Sequence, residues 1–298
     1  MRLSDPKGRD INLELGKIPL HVGAFPNRSD ASRNSLIGSP IVYQYHVDVR
    51  DDQIPTQTDQ IVANRGRGYF TNYAPGTGYN GSGQALSVLY ENCWDFGAVV
   101  VGTSSPFEFA AGVTNGTVGS MVGTDTNDGK QVLGRIGIVP APWLRAGVSA
   151  ARGPYLIRQL DDELPAGRKI DDYNQVFAGG DLEVSYDRAV VTGEYVWNRF
   201  QQPYVGNLDL RSWYAEGKVT LIPGWYVAGR YSRMIFDDLR LSGGGLASWD
   251  APLWRREIGI GFKPSKMLLA KLVHQETHIA TAPRRVDAFM AAQLSVVF

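Results

Sequence analysis

The stretch that decides the fold is RVDAFMAAQLSVVF, residues 285–298. Every second position is apolar, in the set Ala288, Met290, Ala292, Leu294, Val296 and Phe298. The intervening positions include Arg285, Asp287, Gln293 and Ser295. This period of two predicts a β-strand with one apolar and one mainly polar face, and at about fourteen residues it is longer than most strands of soluble proteins. A terminal edge strand of a soluble sandwich is the alternative, and the rest of the chain has to decide between the two.

The composition narrows the classes of protein. The chain has 298 residues with 30 basic and 30 acidic side chains, and a formal net charge of zero gives no reason to expect a nucleic-acid partner. Hydrophobic residues make up 43%, yet no run reaches the roughly 18 apolar residues of a membrane-spanning helix. The single cysteine, Cys93, excludes an internal disulfide framework and a cysteine-rich metal site. The first residues, MRLSDPKGRD, lack the apolar core of a signal peptide.

The alternating pattern recurs along most of the chain, for example in GGDLEVSY, AVVTGEYVWN and SWYAEGKVTL. We count roughly twelve strands, one at about 10–20 and the others from about 94 to the end. The connections alternate in length, with short ones near 105, 141, 187, 223 and 265 and longer ones at 116–129, 153–173, 200–209, 237–252 and 279–284. Tight turns on one rim and long loops on the other are typical of a transmembrane antiparallel up-and-down β-barrel. The sequence therefore predicts an all-β barrel, with residues 1–298 as a single domain.

Charged side chains in the middle of strands indicate which face is wet. A basic group facing lipid at mid-depth costs about 2–4 kcal/mol and an acidic group less, so these side chains should face the lumen. The predicted lumen-lining residues are Arg135, Arg145, Asp181, Glu183, Glu194, Glu216, Lys218, Arg230, Arg255, Glu257 and Lys271. The apolar residues between them, such as Leu182, Val191 and Val219, should face lipid. Aromatic residues near strand ends, such as Trp143 and Trp225, should form interfacial girdles.

The order of these charges along the wall permits two arrangements. Acidic and basic groups on separate arcs could face each other across a water-filled lumen, which predicts weak ion selectivity. Alternatively, neighbours could pair as rigid struts, because buried charges are usually paired.

Several segments resemble the porin family of Gram-negative bacteria, in the branch similar to the phosphate-selective type. They are LGKIP, NSLIGSPIVYQYH, ENCWDFG, YAEGKVTLIPGWYVAGRYSRMIF and AAQLSVVF. The ending in Phe298, after Val296 and Leu294, is similar to the C-terminal signal with which such barrels close. The resemblance implies a passive channel for small hydrophilic solutes or ions in the cell outer membrane, surrounded by its lipid and working as a monomer or homotrimer. It also implies insertion by the barrel assembly machinery through the C-terminal strand, and it implies no cofactor.

The amino-terminal part departs from that family's pattern. A porin begins with a signal peptide and several strands, whereas DPKG near the start of this chain is typical of a tight periplasmic turn. By strand parity we expect two or four further amino-terminal strands, which gives 14–16 strands in a full-length protein.

The segment 26–85 is the largest irregular piece of the chain, and such long loops are usually functional or disordered. A mobile extracellular loop and a loop that folds into the lumen and narrows it are both open. In the second case Asp48, Asp51, Asp52, Arg65 and Arg67 are candidates for the constriction. Within this segment RSDASRNSL could form a short helix capped by Ser29 or Asp30.

Other motifs carry less weight. Gly76, Gly78 and Gly81 match G-x-G-x-x-G without a βαβ unit around them, and TDTNDGK lacks the alternating acids of a calcium loop, so we expect no metal site. An outer-membrane lipase or protease is the competing function. The histidines, His21, His46, His274 and His278, lie in no recognisable nucleophile motif, and no G-x-S-x-G is present.

Overall fold

The computed structural model describes residues 2–4, 10–70, 85–90, 94–120, 127–281 and 283–296. Within these residues, one antiparallel sheet has thirteen strands in the order β1-β2-β6-β7-β8-β9-β10-β11-β12-β13-β16-β17-β18. The strands, numbered in chain order, are β1 (Arg2–Ser4), β2 (Ile11–Pro19), β3 (Tyr45–Arg50), β4 (Tyr69–Phe70), β5 (Ala85–Ser87), β6 (Trp94–Ser104), β7 (Phe107–Thr114), β8 (Gln131–Ala141), β9 (Leu144–Pro154), β10 (Asn174–Tyr186), β11 (Ala189–Gln202), β12 (Gly206–Ile222), β13 (Trp225–Phe236), β14 (Asp238–Arg240), β15 (Leu246–Ser248), β16 (Leu253–Phe262), β17 (Leu268–Ile279) and β18 (Arg285–Val296). Apart from the three-residue β1, the strands of the large sheet are the predicted twelve at the predicted places.

The two faces of the large sheet differ as the alternation predicts. Leu182, Val191 and Val219 are 49%, 54% and 42% exposed on the outer face, and on β18 Leu294 and Val296 are exposed as well. The side chains between them point to the inner face, where Asp181, Thr192 and Glu216 are buried. Because successive residues of a strand point to opposite faces, the apolar outer surface and the polar inner surface follow from the same pattern.

The connections divide into two rims. The short-turn rim carries residues 105–106, 142–143, 187–188, 223–224 and 263–267, as predicted. The long-loop rim carries residues 115–130, 155–173, 237–252 and 280–284. The predicted long loop at 200–209 is wrong. There, β11 and β12 continue to Gln202 and Gly206, which pair with each other across a three-residue turn at 203–205.

Residues 20–70, called the inner segment below, lie inside the sheet. They carry two short helices, α1 (Ile41–Gln44) and α2 (Thr58–Ala63), and a 3-10 turn at Phe25–Arg28. Strand β3 pairs with β4 and β5 in a small separate sheet. The predicted helix over RSDASRNSL is wrong. The Asp30 carboxylate instead accepts the Ser32 amide within a single turn at 31–33, a local competitor of helix formation.

The inner segment forms a dry core with the part of the wall near the long-loop rim. Phe25, Tyr43 and Tyr45 belong to one buried cluster with wall residues that include Phe177, Phe200, Leu210, Tyr214 and Met234. The predicted polar inner face is therefore not in contact with water throughout, because an apolar filling covers much of the inner wall.

Two further 3-10 turns, Arg158–Glu163 and Ile170–Asp172, lie in the connection between β9 and β10. Among the described residues, no helix is both long and apolar enough to span a membrane.

Candidate functional site: the interior of the barrel

The predicted lumen-lining residues all lie on the inner face of the large sheet, but they differ in burial. Arg135, Glu183 and Lys218 are half-buried, and Arg145 is exposed near the short-turn rim. The others have 9% exposure or less, and they are Asp181, Glu194, Glu216, Arg230, Arg255, Glu257 and Lys271. Side chains this buried need local partners, since an unpaired charge in a poorly solvated site is costly.

Arg135 on β8 and Asp181 on β10 form a two-pronged ion pair. The Arg135 Nη2 donates to Asp181 Oδ1 at 2.8 Å and its Nη1 donates to Asp181 Oδ2, while Nη1 also lies 3.2 Å from the Ser149 hydroxyl. Nearer the short-turn rim, Arg145 donates to Glu108 at 2.8 Å. Each pair joins two strands that are separated by one other strand, β9 for Arg135–Asp181 and β8 for Glu108–Arg145, so this part of the wall carries neutralised charges.

A second network connects β12, β13 and β16. Arg230 donates to both carboxylate oxygens of Glu257, at 2.6 and 2.8 Å, and to Glu216 at 3.2 Å. From the inner segment, Arg28 reaches Glu216 at 3.3 Å and the Tyr214 hydroxyl at 3.0 Å. Two arginines therefore share two carboxylates, and a bidentate geometry holds the most buried pair in place.

Two other buried charges, Glu194 and Lys271, bind the inner segment directly. Glu194 accepts the amides of Ala24 and Phe25 at 2.5 and 2.6 Å and the Tyr43 hydroxyl at 2.7 Å. The Lys271 Nζ donates to three backbone carbonyls of residues 31–36, at 2.7, 3.1 and 3.0 Å. These side chains lie on the predicted face, yet their partners are backbone groups of a segment far away in the sequence.

Arg255 also contacts the inner segment. Its Nη1 donates to Gln44 Oε1 at 2.6 Å, its Nε donates to the Thr277 hydroxyl at 2.9 Å, and its guanidinium lies 4.4 Å from the Phe70 ring centroid. The arrangement in which separate acidic and basic arcs face each other across water is therefore wrong for these positions. The close spacing of neighbouring strands brings opposite charges into contact, and the inner segment supplies the remaining partners.

The residues predicted for a constriction lie on one side of the inner segment. Asp48, Asp51 and Asp52 are half-buried, whereas Arg65 and Arg67 are exposed. Burial raises the pKa of the Asp51 carboxyl to about 6, with the neighbouring Asp52 charge as the second cause. Burial likewise raises the pKa of Asp48, against the attraction of Arg67 and Arg50. The structure places the three acids together at the long-loop rim, and that they narrow a pore stays a prediction.

Two cavities remain between the inner segment and the wall formed by β2, β6, β7 and β8. One has a volume of about 260 Å³ and is lined by Asp10, Thr103 and Glu108 near the short-turn rim. The other, of about 140 Å³, is lined by Gly23, Pro26 and Trp94. Arg135, His21 and Asn27 line both, so the two cavities meet at these side chains.

Several functional candidates of the sequence take other places. His21 lies 3.0 Å from Glu14, His46 lies 2.7 Å from the Ala85 carbonyl, and His278 contacts Glu276 and stacks on Trp254 at 3.9 Å on the outer face. Phe298, Cys93, Gly76, Gly78 and Gly81 lie outside the described residues.

The inner-segment residues that hold the wall charges could not be recognised in the sequence. Tyr43, Gln44 and Arg28 are isolated polar side chains in irregular sequence, and the backbone carbonyls that bind Lys271 carry no side-chain signal. A buried mid-strand charge without an opposite charge on the neighbouring strand is the one hint available. Lys271 is such a charge, because the residues opposite it on the two neighbouring strands are Gln293 and Gly261.

No protein-family profile and no curated protein matches the chain. Solved structures do match it in fold. An anion-selective porin from Comamonas acidovorans is similar with a TM-score of 0.56 and 10% identity over 96% of this chain and 72% of that one. OmpT, an outer membrane protein of Vibrio cholerae, is similar with a TM-score of 0.52 and 8% identity over 90% of this chain and 66% of that one. At these identities the likeness establishes the fold, an antiparallel transmembrane β-barrel of the porin type, and so confirms the predicted fold class.

Proposed function

We propose that the protein is an outer-membrane channel through which small hydrophilic solutes or ions cross by passive diffusion. The observation that carries the proposal is the division of the strands into an exposed apolar outer face and an inner face of paired charges. A barrel with this division satisfies its backbone within the sheet, meets lipid outside and keeps polar groups inside.

The route that we propose runs along β2, β6, β7 and β8. The cavities that meet at Arg135 lie there, while the apolar core of the inner segment packs against β11, β12 and β13 near the long-loop rim. A solute on this route passes Arg135, which pairs with Asp181, and Glu108, which pairs with Arg145. Because the charges on the route neutralise one another, we expect weak ion selectivity and not the strong anion preference of a phosphate-type channel.

The surroundings of the channel belong to the same proposal. The exposed apolar side chains of the outer face suit outer-membrane lipid, and aromatic residues such as Trp143 and Tyr186, 55% and 83% exposed beside the short turns, suit its interface. A homotrimer, and delivery to the barrel assembly machinery through the strand that contains Leu294 and Val296, are further parts of the proposal.

Planar-bilayer recording of the purified, folded protein tests the channel directly. We expect stepwise conductance with a reversal potential near zero in a salt gradient. Arg135→Trp should reduce the conductance, because it places a larger side chain where the two cavities meet, whereas Arg168→Trp on a long loop should leave it unchanged. Silent bilayers with folded protein would refute the channel, and esterase or protease turnover in the same sample would identify the competing enzyme.

A further inference from the structure

We propose that a cavity at the long-loop rim binds a small organic cation that carries an ammonium or guanidinium group. The cavity has a volume of about 390 Å³ and lies between the inner segment, the connection from β9 to β10, and the start of the β11–β12 turn. It is separate from the two cavities that meet at Arg135 and shares no lining residue with them.

The wall of the cavity contains an acceptor that has no donor among the described residues. Gln202, the last residue of β11, lines the cavity and is only 5% exposed. Its Oε1 is buried, and no donor among the described residues reaches it. Leaving a buried carbonyl oxygen unpaired is costly, so a ligand with N–H groups in this cavity would satisfy an acceptor that the fold leaves open.

The charged side chains that line the cavity are mainly acidic. Asp48, Asp52 and Glu163 are the lining acids, and Arg50 is the only lining cation of the described chain. Arg50 donates to both oxygens of Asp52, at 2.7 and 2.6 Å, so that pair is neutral. Glu163 forms no ion pair with any described residue, and Asp48 has the Asn64 side chain and the more distant charges of Arg50 and Arg67 around it. The lining therefore retains negative charge and is rich in acceptors.

Three of the acceptor side chains that line the cavity come from separate structural elements. Asp48 comes from β3, Glu163 from the end of the 3-10 turn Arg158–Glu163, and Gln202 from the barrel wall. Three acceptors that converge from separate elements match a group with several N–H donors, as an ammonium or a guanidinium has.

Size and lining decide between an organic cation and a metal ion. The volume lies within the roughly 300–1,000 Å³ of small-molecule sites and far exceeds the space of one ion. Ile54, Pro55 and Leu208 add apolar surface on which a methylene chain can lie. Among the described residues, no group of His, Cys, Asp and Glu has the arrangement of a metal site. A cationic head on a short alkyl chain fits these features.

This inference rests on the proposed function for one point only, that the cavity lies at the mouth of a channel and concentrates the cation there. The binding itself does not need conduction. The two claims are therefore measured apart, binding by calorimetry on protein in detergent micelles and conduction in bilayers.

The test uses the full, folded chain and agmatine, which has a guanidinium and an ammonium on a four-carbon chain. We expect saturable binding in isothermal titration, and at least about tenfold weaker binding by Gln202→Leu and by Asp48→Asn, since each removes a hydrogen bond to a charged group. Glu163→Gln should weaken it several-fold. Asp162→Asn is the matched control, because Asp162 is an exposed acid beside Glu163 that does not line the cavity.

Three other probes separate the possible ligands. Calcium chloride represents the metal alone, glucose a neutral polyol and citrate an anion, and we expect none of them to compete with agmatine at equal concentration. No saturable agmatine binding, equal binding in the Glu163→Gln and Asp162→Asn variants, or displacement by calcium would each overturn the proposal. Glu163 is exposed, so its substitution leaves folding intact and keeps the test decisive. Agmatine binding in silent bilayers would refute the channel and retain the site, and conduction without agmatine binding would do the reverse.

Discussion

Replacing Lys271 by methionine tests whether the wall charges hold the inner segment. Lys271 is 4% exposed on β17, and its Nζ donates to the carbonyls of Ala31, Asn34 and Leu36 at 2.7, 3.1 and 3.0 Å. Methionine has a similar length and no hydrogen-bond donor, so Lys271→Met removes all three hydrogen bonds while a side chain of similar size still occupies the site.

The magnitude follows from the acceptors left behind. The carbonyls of Asn34 and Leu36 are buried at this contact, and each unsatisfied buried acceptor costs about 1–3 kcal/mol. The Ala31 carbonyl is partly exposed and can turn to water, and the methionine regains about 1 kcal/mol of apolar burial. We therefore expect the free energy of unfolding to fall by about 1–5 kcal/mol.

Urea unfolding in lipid vesicles, followed by tryptophan fluorescence, measures this change. Lys218→Met is the matched control, because Lys218 also lies on the inner face but contacts only the Tyr226 ring, 4.6 Å from its centroid, in the described structure. Its loss should cost about 1 kcal/mol or less. Equal effects of the two substitutions would refute the idea that Lys271 anchors the inner segment.

The remaining predictions separate pore residues from structural ones. Arg135→Gln should shift the reversal potential in a salt gradient toward cations, whereas Arg230→Gln, whose side chain is fully buried, should leave it unchanged and lower the free energy of unfolding by about 3–5 kcal/mol. Leu272→Arg on the outer face should cost about 2–4 kcal/mol in vesicle unfolding, and no cost would argue against a lipid-facing surface. Burial raises the pKa of Asp250 to about 6, so the folded protein takes up a proton at this carboxyl at a higher pH than the unfolded chain does. As pH falls from about 7 to 4, the wild type should gain about 2.4 kcal/mol of unfolding free energy relative to Asp250→Asn, and parallel pH profiles of unfolding would contradict this.

The barrel could be predicted from the sequence because its signal is local. Each strand alternates between apolar and polar side chains, so Leu182 and Glu183 already indicate which way the neighbouring residues point. The boundary that failed, at 200–209, failed for a physical reason. Arg199 and Asp209 pair at 2.7 Å across β11 and β12, so charges that suggest a loop in the sequence neutralise each other on a continuous strand pair.

The inner segment could not be predicted because its contacts join distant parts of the chain. Ala24 and Glu194 are 170 residues apart, and Ala31 and Lys271 are 240 apart. Its short helices have too few residues to show a period. The alternation of YHVDVR in β3 predicts a strand, but it does not predict that the strand lies inside the large sheet. Two alternatives for segment 26–85 were open from sequence, and the contacts of residues 24–44 with the wall are the observation that sequence could not supply.

The burial of the wall charges decides which of them can act on a solute. Glu194, Arg230 and Lys271 are satisfied by fixed partners and excluded from water, so they stabilise the filling of the barrel and contribute little to selectivity. Their mid-strand position suggested pore lining, but in the structure they are the hydrogen-bond partners of inner-segment groups that have left water. In the proposed channel, selectivity would come from charges that line open space, among them Arg135 where the two cavities meet, Glu108 in the larger of these and Glu163 at the long-loop rim.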